Sequence, residues 1–228
     1  MLASGSGRPL VQHVVDQVKQ CKRVRQVIVA TDDMRVIEAL KAFGTTCVMT
    51  SAAHQSGTDR VAEVAARLDD DIIVNVQGDE PEIEPHVVDG LIERMETSDD
   101  DLATAATPFK SLEDVKNPNM VKVVLSEGGH ALYFSRSPIP FDRDATSKSG
   151  LDDPSFWKLH LGIYAYRRKF LLEFARWAPT MLEQTEKLEQ LRALEHGRKI
   201  YVMSVERATS GIDTPQQYEE FLRRVASR

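Results

Sequence analysis

Short β-branched runs and amphipathic stretches alternate along most of the chain. Leu10, Val11, Val14, Val15 and Val18 fall on one side of a 3.6-residue repeat, which predicts a helix over residues 9–20. The run 26–30 is apolar and β-branched and predicts a buried strand. Thr31-Asp32-Asp33 can cap the helix expected from 34 to 43, and Gly44 can close it. Strand 46–49, helix 58–68 and strand 72–76 continue the alternation. The 72–76 run is almost unbroken in its apolar character, as in a strand covered on both faces. Helix 86–95 and strand 102–107 follow. Segments 121–125 and 131–135 flank Glu127-Gly128-Gly129 and predict a hairpin. Beyond a polar loop at 142–153 come strand 160–166, helix 168–177, one helix over 182–195 and strand 199–205. The last helix has Thr214 as N-cap, Pro215 at N1 and Gln217 three residues after the cap.

Strands alternating with helices predict an α/β fold, a mostly parallel Rossmann-like sheet flanked by helices. The 228 residues suffice for one domain. A hairpin and loop at about 110–155 form a small insertion, suited to a dimer arm. The composition, 42% hydrophobic and 28% charged, is that of a globular protein. The net charge of −6 argues against general nucleic-acid binding. It leaves room for an anionic small substrate, which needs only a local cation cluster or a bound metal. No apolar run approaches the roughly 20 residues that span a bilayer, and the opening residues lack a signal-peptide pattern. The expectation is a cytoplasmic protein with Cys21 and Cys47 as reduced thiols.

Ligands of open α/β sheets bind beyond the carboxyl ends of strands. Gln77-Gly78-Asp79-Glu80-Pro81 leaves such a strand, and Asp79 there suits a hard divalent cation on a nucleotide. Asp213 precedes the last helix, whose N-terminus favours a carboxylate. By residue type alone, each reads equally well as a turn residue. His54-Gln55-Ser56-Gly57-Thr58-Asp59-Arg60 gathers hydroxyls, a glycine and a cation at a helix start, either to grip an anion or simply to cap the helix with Thr58. His160 and Tyr164 share one face of a strand, as a polyol-binding pair or as packed core residues.

The segments IVATDD, HQSGTDR, IIVNVQGDEP, NPNMVKVV, ALYFSR, HLGIYAYR, EKLEQLR and GIDTP, in this order along nearly the whole chain, resemble the 3-deoxy-manno-octulosonate (Kdo) cytidylyltransferases. The resemblance implies a nucleotidyltransferase that joins CTP and Kdo into CMP-Kdo and pyrophosphate, for lipopolysaccharide synthesis. It implies Mg²⁺ held by Asp79 and Asp213, the residues that carry the catalysis. Ser56, Gly57 and Arg60 would bind the nucleotide, in a loop that borders the nucleotide and sugar sites. Gln77, His160, Tyr164, Glu189 and Gln190 would contact Kdo, with Arg136 a further anion contact. It also implies a cytoplasmic homodimer with no membrane or nucleic-acid partner. A cytidylyltransferase for another acid sugar, such as sialic acid, and an inactive binding relative are the competing readings.

Family members open with a strand and a basic loop resembling IPARxxSxRxPGK, whereas Gly7-Arg8-Pro9-Leu10 here matches the segment that opens the first helix. The expectation is that Met1 is an internal methionine of a longer natural chain. On the same expectation, the chain as written folds poorly or is nearly inactive, because Arg8 is a poor substitute for the basic loop.

Overall fold

The computed structural model describes residues 1–143, 153–207, 211–212 and 214–227. The first half of the chain runs α1 (Leu10–Val18), β1 (Val29–Thr31), α2 (Met34–Lys41), β2 (Cys47–Met49), α3 (Gly57–Ala65), β3 (Ile72–Asn75), α4 (Pro85–Thr97) and β4 (Leu102–Pro108). The second half runs α5 (Leu112–Lys116), β5 (Lys122–Leu125), β6 (Ala131–Ser135), β7 (Lys158–Arg167), α6 (Arg168–Phe174), α7 (Met181–Glu186), α8 (Gln190–Glu195), β8 (Ile200–Ser204) and α9 (Pro215–Ala226). Most of the expected elements are present. The polar loop expected at 142–153 lies largely outside the described residues.

The architecture is α/β, but the pairing differs from a simple parallel sheet. Within the six-stranded sheet, ordered β6-β5-β7-β4-β8 with β3 also beside β7, only β4 and β8 pair in parallel. β7 runs antiparallel to β3, β4 and β5, so those three strands and β8 share a direction that β7 opposes. The apolar character of β3 therefore reflects burial, and it says nothing about the direction of its neighbour. β1 and β2 form a separate parallel pair.

Alternation along the strands gives the sheet two apolar faces. Ile73, Leu102, Tyr166 and Ile200 face α3, α6 and α8, where Ala65, Phe170, Leu171, Phe174 and Leu191 pack on them. Ala103, Ala105, Ile163 and Ala165 face the other way, against Val87, Val88, Leu91 and Met95 of α4 and Val14 and Val18 of α1. The small residues of β4 and β7 on that face let α4 lie close to the sheet. Cys21 and Cys47 are free thiols. Burial, with the nearby Asp89 charge, pushes the Cys21 thiol up to about 11, which keeps it protonated and inert.

The expected helix over 182–195 is two helices. Lys187 adopts a left-handed conformation, with φ of 54°, between α7 and α8. Leucine periodicity continues across the break, so the pattern alone could not reveal it. Tertiary bonds hold it open. Arg136 Nε donates to the Glu186 carbonyl at 2.7 Å, and Arg192 grips Glu183 through two bonds of 2.5 and 2.8 Å. Arg192 is only 6% exposed, and removing one partner of such a pair costs about 3–5 kcal/mol because a buried charge is left behind. The surface ion pairs elsewhere contribute about 1 kcal/mol or less each. The last helix starts as expected: Thr214 and Gln217 form a reciprocal capping box with Pro215 in the first turn.

Asp100 joins the hairpin to the body of the sheet. It accepts from Arg94 at 2.5 and 2.8 Å and bonds His130 Nε2 at 2.9 Å, while the Arg94 guanidinium lies 4.0 Å from the centre of the Tyr201 ring. Burial works to raise the Asp100 pKa, but hydrogen bonds from His130, Arg94 and Ser98 outweigh it and hold the carboxyl below its usual range. A depressed carboxyl stabilises the fold above its unfolded pKa and loses that contribution as pH falls through its folded pKa. Asp100→Asn is therefore predicted to cost about 1–3 kcal/mol at pH 7. Urea unfolding should show this difference undiminished down to about pH 4 and shrinking below it. A difference that grows on acidification would contradict the assignment.

Candidate active site

The site lies on the α3–α6–α8 face of the sheet. Across β4, β7 and β3, Thr104, Tyr164 and Asn75 form one row, and Leu102, Tyr166 and Ile73 form the next. A pocket opens over these rows, closed by the start of α3 and the start of α8. Gly57, Thr58, Asn75, Gln77, Tyr164, Glu189 and Gln190 line it, with Leu102, Tyr166 and Phe174 as its apolar floor. Gln77, Tyr164, Glu189 and Gln190, expected together from the sequence, meet here although up to 113 positions separate them. Gly57 lacks a side chain at a point where a Cβ would stand 3.9 Å from Gln77 Oε1.

Glu189 is the charged group of the pocket. Ser56 Oγ donates to it at 3.0 Å, Thr58 Oγ1 at 2.5 Å, and the Arg192 guanidinium approaches to 3.4 Å. Burial nevertheless raises its pKa above the usual carboxylate range. Next to it, Gln190 is 6% exposed and its Nε2 has no hydrogen-bond partner among the described residues. A buried amide without a partner is costly, and an acceptor on a ligand that reached it in the pocket Gln190 lines would remove that cost.

His160 lies beside the pocket on the same face. Its ring is 5.4 Å from Tyr164 and meets Phe134 edge-on at 4.9 Å. Burial pushes its pKa down to about 3, so the imidazole is neutral at physiological pH.

Other expected residues are placed differently. Ser56, and not Thr58, is the N-cap of α3, accepting from Asp59 N at 3.1 Å while donating to Glu189. Arg60 joins the ends of the small sheet, donating to Thr50 Oγ1 at 2.6 Å and Asp32 Oδ2 at 3.0 Å, and it does not line the pocket. Arg136 is engaged by backbone carbonyls of Glu186, Lys187 and Pro118, so in this conformation it positions the α7–α8 connection and is not presented as an anion contact. Asp79 sits beyond β3, where its carbonyl accepts from Ile212 N at 2.8 Å and Gly211 packs against its side chain. The segment leading to Asp213 is thus docked on Asp79, while Asp213 itself lies outside the described residues. Among the described residues no cluster of three metal-binding side chains occurs.

Sequence reasoning missed Asn75, Thr58 and Tyr166 as pocket residues. Asn75 had a visible signal, a polar residue inside an apolar strand. Thr58 was in view as one of the hydroxyls of its segment or as a cap, without being singled out, and Tyr166 resembles any core aromatic until the fold places it.

By fold the chain is an α/β protein, and by family it is a nucleotidyltransferase. It superposes on 4-diphosphocytidyl-2C-methyl-D-erythritol synthase from Anaerococcus prevotii with a TM-score of 0.62 at 14% identity, covering 100% of this chain and 91% of that one, a likeness of fold alone. Residues 2–200 match the family described as Cytidylyltransferase, and the chain belongs to that family. It is 50% identical to 3-deoxy-manno-octulosonate cytidylyltransferase of Geotalea daltonii, across 100% of this chain and 92% of the relative. It is 51% identical to the protein of the same name from Geotalea uraniireducens, across 98% and 91%. A solved CMP:2-keto-3-deoxy-manno-octonic acid synthetase complexed with CTP shares 40% identity and a TM-score of 0.90, covering 99% of this chain and 91% of that one.

Gln190→Met keeps the side-chain volume and removes the unpartnered amide. The variant is predicted to melt at or up to about 4 °C above the wild type, since function and stability trade against each other at such a group. A clear fall in Tm by calorimetry would show that the amide has a stabilising partner.

Proposed function

We propose that this chain transfers CMP from CTP to 3-deoxy-D-manno-octulosonate, releasing pyrophosphate. The observation that carries the proposal is the convergence of Gln77, Tyr164, Glu189 and the unpartnered Gln190 amide in one pocket. The names of the relatives and of the CTP-bound neighbour support it. Carboxylate and amide groups beside an aromatic ring suit a ligand rich in hydroxyls. Glu189 accepts from sugar hydroxyls, Gln190 Nε2 donates to a sugar oxygen, and Tyr164 gives the ring a face to lie on. The anomeric oxygen of the sugar then attacks the α-phosphorus, the new P–O bond forms, and the bond to pyrophosphate breaks. Fixing the two reactants in one orientation supplies much of the rate.

Asp79 and Asp213 would hold Mg²⁺. Hard carboxylate oxygens fit that ion, and the contact between Asp79 and residues 211–212 supports pairing the two. The ion, when bound, neutralises phosphate charge. Gly57 lines the pocket and Ser56 donates to its Glu189, which supports placing the start of α3 beside the substrates, while Arg60 is bound to Thr50 and Asp32. In this reading the protein works as a cytoplasmic homodimer and its product feeds lipopolysaccharide synthesis. No described helix is long and apolar enough to cross a membrane.

The test is an assay for CMP-sugar and pyrophosphate with CTP, Mg²⁺ and a panel of acid sugars. Kdo is predicted to be the preferred acceptor, and a chelator to abolish turnover. Asp79→Asn should lower kcat about 100-fold or more while the Kd for Kdo stays within about twofold, because Asp79 is outside the pocket lining. Preference for sialic acid would overturn the substrate, and ligand binding without any product would overturn the enzyme reading.

A further inference from the structure

We infer that Thr104 is a positioning residue that fixes His160 as the Nε2–H tautomer, leaving Nδ1 as the acceptor the imidazole offers to a ligand hydroxyl. The inference rests on reading His160 as an acid-sugar contact and adds which atom does the reading and what sets it.

The pairing of β4 with β7 is irregular at one point. Thr104 pairs with Tyr164 and Ala105 with Leu161, so Gly162 and Ile163 bulge out of the β4–β7 ladder. The Thr104 hydroxyl fills the gap. Its Oγ1 lies 2.7 Å from the Ile163 carbonyl, 3.1 Å from the Leu161 carbonyl and 3.1 Å from His160 Nε2. Thr104 is fully buried, so water does not compete for these groups.

One hydroxyl carries one proton. Two oxygens 2.7 Å apart, with no proton between them, would repel each other, so the proton lies toward Ile163 O. Nothing is then left on Oγ1 to donate to His160, and the contact at 3.1 Å is a hydrogen bond only if Nε2 carries the hydrogen. A neutral imidazole has one N–H, so Nδ1 is the bare nitrogen. Among the described residues no protein group bonds Nδ1, and the edge of Phe134 and the ring of Tyr164 keep the imidazole from turning over. The low pKa of His160 agrees, since a proton on both nitrogens is excluded near neutrality. Donation thus runs in one direction, from a ligand hydroxyl to Nδ1, from Nε2–H to Thr104 Oγ1, and from the Thr104 hydroxyl to the Ile163 carbonyl.

The test is ¹⁵N NMR of the imidazole in the whole chain, with calorimetry of Kdo binding. Wild type should show a protonated Nε2 and an unprotonated Nδ1. Thr104→Val keeps the shape and removes the hydroxyl, and is predicted to disturb that tautomer and weaken Kdo about tenfold, with CTP affinity within about twofold. Thr104→Ser should restore both the tautomer and the affinity. A wild-type Nδ1–H tautomer would overturn the inference. So would unchanged Kdo affinity in Thr104→Val when His160→Ala weakens it. Unchanged affinity in His160→Ala would remove the sugar-contact reading itself and the inference with it.

Discussion

The pocket depends on how Glu189 is held. A carboxylate withdrawn from water is unfavourable unless other groups replace the solvent. Ser56 and Thr58 supply two hydroxyl donors from the start of α3, and Arg192 supplies charge from α8. Because those donors come from opposite walls, holding the carboxylate also fixes the gap between α3 and α8. The same requirement explains the break at Lys187. A continuous helix over 182–195 would carry Glu189 and Gln190 round as ordinary surface positions, whereas the break lets Glu189 and Gln190 open a new helix at the pocket wall. Arg136 and Arg192 keep the break in place by binding carbonyls and Glu183.

The second constraint is the reversed strand β7. It carries Leu159 and Lys158 opposite β5, Tyr164 to Arg167 opposite β3, and nearly its whole length opposite β4. A strand in that position ties the hairpin to the sheet and delivers His160 and Tyr164 to one face. Its bulge at Gly162 and Ile163 takes the Ile163 carbonyl out of the ladder, and the Thr104 hydroxyl donates to that carbonyl from the neighbouring strand. The same hydroxyl lies 3.1 Å from His160 Nε2, so one side chain touches both the bulge and the imidazole.

Local chemistry was legible in the sequence where it is self-contained. The capping box of Thr214 and Gln217 and the hairpin around Glu127-Gly128-Gly129 involve neighbours in the chain, and both are present. The gathering of Gln77, Tyr164, Glu189 and Gln190 was reachable only through the ordered motifs, since no spacing rule links them. What stayed hidden is tertiary. Strand direction leaves no mark on residue type, so the reversal of β7 could not be read. Leu188, Leu191 and Leu194 keep a helical period through a point where the helix is broken. Arg60 and Arg136 are cations in motif segments, and only the fold shows that Asp32 and backbone carbonyls already engage them.

The most direct measurement is a structure of this chain determined with CMP-Kdo bound. The octulosonate is predicted to lie against Tyr164, with its hydroxyls on Glu189 and an oxygen on Gln190 Nε2, and the α-phosphate toward Asp79. Finding the cytosine in that pocket, or the sugar outside it with Gln190 Nε2 still unpartnered, would contradict the assignment.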